Sequence, residues 1–142
     1  MVQILQTFHS HNRNLILLLL IIIVVVSFIG LTTKKPWSKF QKTLTLVHLI
    51  VIDIQFAIGM VLYIAFSPFG LKAFNNPDLN VMKDAEVRVI AIEHLILMLV
   101  AWILIHMGYS KSKKAINPNQ TVVIYYTLAL ILIFAGIPWS RL

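Results

Sequence analysis

Cysteine is absent from this chain of 142 residues. That excludes disulfide exchange, thiolate metal sites, iron–sulfur clusters and covalent c-type haem attachment. Acidic residues are scarce too, with five Asp and Glu against twelve Lys and Arg and a formal net charge of +7. Charged residues make up 12% of the chain and hydrophobic ones 59%, whereas about a quarter of an ordinary soluble domain is charged. No nucleophile-and-base pair suggests hydrolysis. The positive surplus does not point to nucleic acid, because it is divided among short loops.

Four long apolar stretches fill the place of the missing charge. Roughly 20 mostly apolar residues cross a bilayer, and the spans fall at about residues 14–31, 44–66, 87–109 and 121–139. Together they use more than half the chain, so residues 1–142 read as one membrane domain. The first run has almost no Lys or Arg ahead of it and no Ala-x-Ala-like site after it, so it reads as a retained helix rather than a signal peptide. Short connections then predict an all-α antiparallel up-down four-helix transmembrane bundle.

Helix ends are marked by Gly30 and Lys34–Trp37, by Ser67-Pro68-Phe69-Gly70, by Gly108 with Ser110–Lys114, and by Pro138-Trp139. Lys34, Lys35, Lys39 and Lys42 lie in one acid-free loop, and Lys111, Lys113 and Lys114 in another. Against these seven, the opposite side carries Arg13, Lys72, Lys83, Arg88 and Arg141, diluted by Asp78, Asp84 and Glu86. The positive-inside rule places both termini outside and the Lys-rich loops in the cytoplasm. The expected setting is the bacterial inner membrane.

Ionisable groups are costly in lipid and usually mark a site. His48 follows Lys42 by six residues and His106 precedes Lys111 by five, so both should lie roughly 8 Å inside one edge at 1.5 Å per residue. Two facing imidazoles at one depth would suit the axial positions of a b-type haem. His94, twelve residues before His106, lies roughly 18 Å away along the helix, which leaves room for a second haem. Its partner would be His9 or His11. With Gly30 and Gly108 taken as matching helix ends, His9 is misplaced in depth by roughly 10 Å and His11 by 7 Å. On the second helix His48, Ile52, Gln55, Gly59 and Leu62 form one stripe, and its glycine would admit a flat cofactor or a close helix.

Arg13 and Arg88 are candidate partners for haem propionates, since a planar guanidinium matches a carboxylate. Asp53 and Glu93 are intramembrane acids, candidates for proton handling beside a quinol or for buried hydrogen bonds that lock the bundle.

Several short motifs also stand together: His9-Ser10-x-x-Arg13, Gln55-x-x-x-Gly59-x-x-Leu62-Tyr63, Glu93-His94-x-x-x-Met98, His106-x-Gly108 before a basic loop, and Ile137-Pro138-Trp139. This set resembles a group of small bacterial four-helix membrane proteins labelled cytochrome b-like, and the resemblance spans essentially the whole chain. It implies haem b and electron transfer within the membrane, with His9 and His94 as the best-matching ligands. The group's pattern often has a histidine just ahead of the second-helix glutamine; this chain has Asp53-Ile54-Gln55 there.

The leading expectation is therefore a b-type cytochrome carrying one or two haems, ligated among His94, His9, His106 and His48, and exchanging electrons with a quinone pool or other membrane-complex subunits. The alternative is a cofactor-free accessory subunit of a larger complex. A proton-linked transporter is third, disfavoured by the absence of inverted repeats and broken helices.

Overall fold

The computed structural model describes residues 1–141, with the side chain of Arg141 outside the described set. Among the described residues every regular element is helical. Four helices are long and apolar enough to cross a membrane. They are α1 (Val2–Thr32), α2 (Lys39–Val61), α3 (Ala85–Ser112) and α4 (Pro118–Gly136). A π-helical turn, Leu62–Phe66, continues α2, and a second π segment, Val89–His94, lies inside α3.

The later helices match the apolar spans to within a few residues, but α1 begins twelve residues before the expected start. No glycine or proline precedes Gly30 to interrupt it. The polar residues of its first turns also have partners on α2: Asn12 Nδ2 donates to Gln55 Oε1 at 3.0 Å, and Gln55 Nε2 donates to the His9 carbonyl at 2.9 Å. The N-terminal stretch thus packs as part of the bundle.

Consecutive helices contact one another in opposite chain order. His9 near the start of α1 meets Gly59 near the end of α2, while Gly30 at the far end of α1 meets Asn119 at the start of α4. Tyr63 bonds Ala91 while Asp53 bonds Trp102, and His94 bonds Gly136 while Gly108 packs on Tyr125 and Tyr126. The core between them is built from Ile16, Leu20 and Ile23 of α1, Ile52 of α2, Ala101 and Ile105 of α3, and Val122, Tyr126, Ala129 and Ile133 of α4. Outward residues such as Ile21, Ile50, Ile54, Ile124 and Ile131 stay exposed, as a lipid-facing surface requires. A smaller apolar cluster of Ala73, Val87 and Ala91 anchors the long loop between α2 and α3.

The Lys-rich end is closed by a polar network. Ser38 and Gln41 form a reciprocal capping box at the start of α2, which satisfies two otherwise unpaired backbone donors. The Gln41 amide also donates to Asn119 Oδ1 at 2.8 Å, and Asn119 Nδ2 donates to the Lys35 carbonyl at 3.0 Å. Gly30 makes room for this, since a Cβ there would lie 2.7 Å from Asn119 Oδ1. Truncating Asn119 to Ala leaves the buried Gln41 amide and the part-buried Lys35 carbonyl without this partner. An unsatisfied buried partner costs about 1–3 kcal/mol, so N119A should lower the melting temperature in detergent, read by circular dichroism, while Val123→Ala shows a smaller shift.

Candidate functional site: a histidine pair at a cavity between the helices

The end of the bundle that holds the chain termini contains a cavity of about 300 Å³, at the lower end of the small-molecule range. His9 from α1 and His94 from α3 enter it from two sides, with ring centres 6.5 Å apart and ring planes crossed at 71°. Imidazole nitrogens stand about 2.0–2.1 Å from a transition-metal ion, and with roughly 1.1 Å from each nitrogen to its ring centre, two axial rings are separated by about 6.3 Å. The observed ring-centre separation is close to that value.

Each histidine is positioned by neighbours that the sequence motifs contain. Gly59 lies against His9: an added Cβ would sit 3.1 Å from His9 Cε1. The missing side chain is what lets the Cε1–Nδ1 edge of this ring approach α2 so closely. Gln55, one turn earlier on the same stripe, holds the His9 carbonyl. Buried His9 Nδ1 has no hydrogen-bond partner. His94 Nδ1 contacts the Gly136 carbonyl at 2.8 Å. A carbonyl only accepts, so Nδ1 carries the hydrogen and Nε2 keeps its lone pair. That is the tautomer of a metal-ligating histidine, with its other nitrogen fixed by a backbone acceptor.

His94 ends the π segment Val89–His94. Such bulges re-aim side chains and recur at functional sites. The Tyr63 hydroxyl donates to the Ala91 carbonyl inside this segment at 2.9 Å, tying the π turn of α2 to that of α3 beside the cavity.

The depth mismatch expected between His9 and His94 disappears, and the contacts give the reason. Gly30 packs on Asn119, but Gly108 packs on Tyr125 and Tyr126. Asn119 and Tyr126 are seven residues apart on α4, or roughly 10 Å. Gly108 therefore sits that much deeper than Gly30, which cancels the mismatch for His9. His11, on the next face, is exposed.

The remaining candidates are distributed differently. Arg13 lines the cavity, and among the described residues only its Nε is engaged, with Asn14 Oδ1 at 3.3 Å. Arg88 does not line it; it pairs with Glu93 at 3.0 Å and donates to the Met82 carbonyl at 2.8 Å. Glu93 is thus an ion-paired surface acid rather than a neighbour of the cavity. The expected inner pair is not assembled. His48 is fully buried against Tyr126, ring centres 5.7 Å apart. Neither of its nitrogens makes a hydrogen bond, the Ile16 carbonyl being the neighbouring acceptor outside bonding geometry.

His106 faces elsewhere, with Nδ1 3.0 Å from the Trp102 carbonyl and Nε2 3.2 Å from Asp53 Oδ1. Its depth matches that of His48, but it turns toward the outer side of α2 while His48 turns toward α4. Asp53 does not lie in the core; its side chain is 47% exposed and accepts from Trp102 Nε1 at 2.7 Å.

Sequence reasoning missed Trp102, Phe56 and Gly136. Phe56 and Trp102 stack at 5.0 Å and form one wall of the cavity. An aromatic on a lipid-spanning helix carries no signal that separates wall from packing. Gly136 acts through its carbonyl, which no side-chain pattern reveals. No family model matches the chain, and neither curated proteins nor solved structures give a match.

Proposed function

We propose that this protein is a membrane-embedded b-type cytochrome holding one haem b between His9 and His94. The observation that carries the reading is the pair itself: two imidazoles from different helices, 6.5 Å apart at a cavity, one with its tautomer fixed by Gly136. The donor count favours a macrocycle over a bare ion. Among the described residues no three His, Asp or Glu side chains converge, whereas a haem brings four equatorial donors and needs only two from the chain. The fit extends to Gly59, whose absent Cβ keeps His9 at the cavity, and to Arg13, whose free guanidinium nitrogens would meet a propionate.

When bound, haem supplies reversible one-electron chemistry tuned by its axial ligands and burial. The chain's part is to hold both imidazoles, exclude water with the Phe56–Trp102 wall, and neutralise carboxylate charge with Arg13. With the termini outside and the Lys-rich loops in the cytoplasm of a bacterial inner membrane, the site serves the outer half of the bilayer. One haem is proposed rather than two, because His48 and His106 turn to different partners. The test is the absorbance spectrum of protein purified from haem-replete cells, oxidised and then reduced with dithionite. One haem per chain with sharp reduced bands is expected. A colourless preparation would defeat the reading and leave the cofactor-free accessory subunit in its place.

A further inference from the structure

Asp53 is anomalous for a carboxylate in the middle of an apolar helix. Such groups almost always turn toward a bundle interior, yet this side chain is 47% exposed, flanked along α2 by the exposed Ile50 and Ile54. Its partners all engage one oxygen. Trp102 Nε1 donates to Oδ1 at 2.7 Å, and His106 Nε2 lies 3.2 Å from that same atom. Among the described residues Oδ2 has no donor. The imidazole is also held on its other side. His106 Nδ1 faces the Trp102 carbonyl at 3.0 Å, so Nδ1 holds a hydrogen. Its Nε2 faces the carboxylate at 3.2 Å, so imidazole and carboxylate are placed to share a proton.

Beside the carboxylate lies a partly exposed aromatic cluster, in which His106 packs against the Trp102 ring at 4.3 Å. Phe56 and Trp102 are nearly parallel, 16° between planes, and the same two rings wall the histidine cavity. One partly exposed spot thus combines an open hydrogen-bond acceptor, an imidazole–carboxylate pair and stacked aromatic rings that also line the cavity. A matching ligand reaches the site through the bilayer, has a flat ring to pack against these aromatics and carries a hydroxyl to donate to Oδ2. We infer that the Asp53–Trp102–His106 cluster with Phe56 is a binding site for the head group of a membrane-dissolved hydroquinone. For its purpose this inference rests on the haem reading, since the same aromatic rings line the cavity. The site itself is defined without the haem. Arg88 and Glu93, paired with each other, do not take part.

The experiment is photolabelling in nanodiscs with a diazirine-bearing short-chain hydroquinone, with adducts mapped by mass spectrometry. Labelling should concentrate on segments 50–57 and 99–106, and be competed by unlabelled hydroquinone. It should fall at least tenfold in Asp53→Asn and severalfold in Phe56→Leu, which leaves the carboxylate intact should the first variant misfold. The oxidised quinone, which has no hydroxyl to donate, should label more weakly. Labelling spread evenly over the lipid-facing helices, or unchanged in both variants, would overturn the inference. Asp53-dependent labelling of a colourless protein would instead defeat the haem reading and leave this site standing.

Discussion

Replacing His94 with Ala should reduce bound haem at least tenfold, measured as pyridine haemochrome per mole of purified protein, and His9→Ala should do the same. The effect is expected to be large because on the haem reading His9 and His94 would be the two residues holding the iron, and no other histidine lines the cavity. Met98 also lines the cavity, but it already packs where a Gly136 Cβ would stand. His94→Ala also strands the Gly136 carbonyl, at a cost of about 1–3 kcal/mol for an unsatisfied buried acceptor. A structural role alone would thus lower the melting temperature without any rescue of haem. Added free imidazole separates the two roles, since it should restore haem to H94A by filling the vacated axial position.

His48→Leu provides the contrast. His48 is buried with neither nitrogen hydrogen-bonded, and replacing such a group with an apolar one of similar shape is near neutral or stabilising. H48L should therefore keep its haem and melt at or above the wild-type temperature. Loss of haem in H48L with retention in H94A would reverse the ligand assignment.

The second large effect is expected at Gly59. A Cβ at this position would lie 3.1 Å from His9 Cε1 and 3.8 Å from its Nδ1. Alanine demands a shift of a few tenths of an ångström, which the His9 side chain can absorb, so G59A should retain most of its haem. Leucine adds three carbons beyond Cβ, directed at the ring and the cavity, and should cut haem loading at least tenfold. The helix should not suffer. Glycine inside a helix is roughly 0.8–1.0 kcal/mol less favourable than alanine, and leucine is close to alanine. Unchanged or raised thermal stability together with lost haem would locate the effect in the cavity. Equal loading in G59L and wild type would show that His9 does not need the space Gly59 leaves.

Much of this arrangement is legible in the sequence, and the exceptions have identifiable causes. The stripe His48, Ile52, Gln55, Gly59 and Leu62 does turn inward: Ile52 and His48 are buried, Gln55 holds His9, and Gly59 and Leu62 face the cavity. Helical periodicity suffices for that, because lipid and bundle interior sort polar groups by face. Helix ends are less informative about depth. Gly30 and Gly108 both mark close approaches to α4, but to Asn119 and to Tyr126, so treating them as level misplaced His9 by roughly two helical turns.

Rotation about the axis is harder still. His48 and His106 share a depth, yet one packs on Tyr126 and the other on Asp53, and counting residues along two separate helices does not fix their relative rotation. The π segments add a further offset. Val89–His94 changes the phase of α3 just where His94 must be aimed, and its stabilising partner, Tyr63, comes from a different helix. The outward placement of Asp53 runs against the rule that intramembrane acids face inward, and only its neighbours Trp102 and His106 make sense of it.

The claim that one iron sits between His9 and His94 is tested most directly by electron paramagnetic resonance of the oxidised, haem-loaded protein. Two imidazoles held on one axis give a six-coordinate low-spin ferric signal, and crossed ring planes near the observed 71° favour its strongly anisotropic form. That signal is expected in the wild type, with conversion to high spin in whatever haem H9A retains. A high-spin signal in the wild type, or a low-spin one unchanged in H9A, would contradict it.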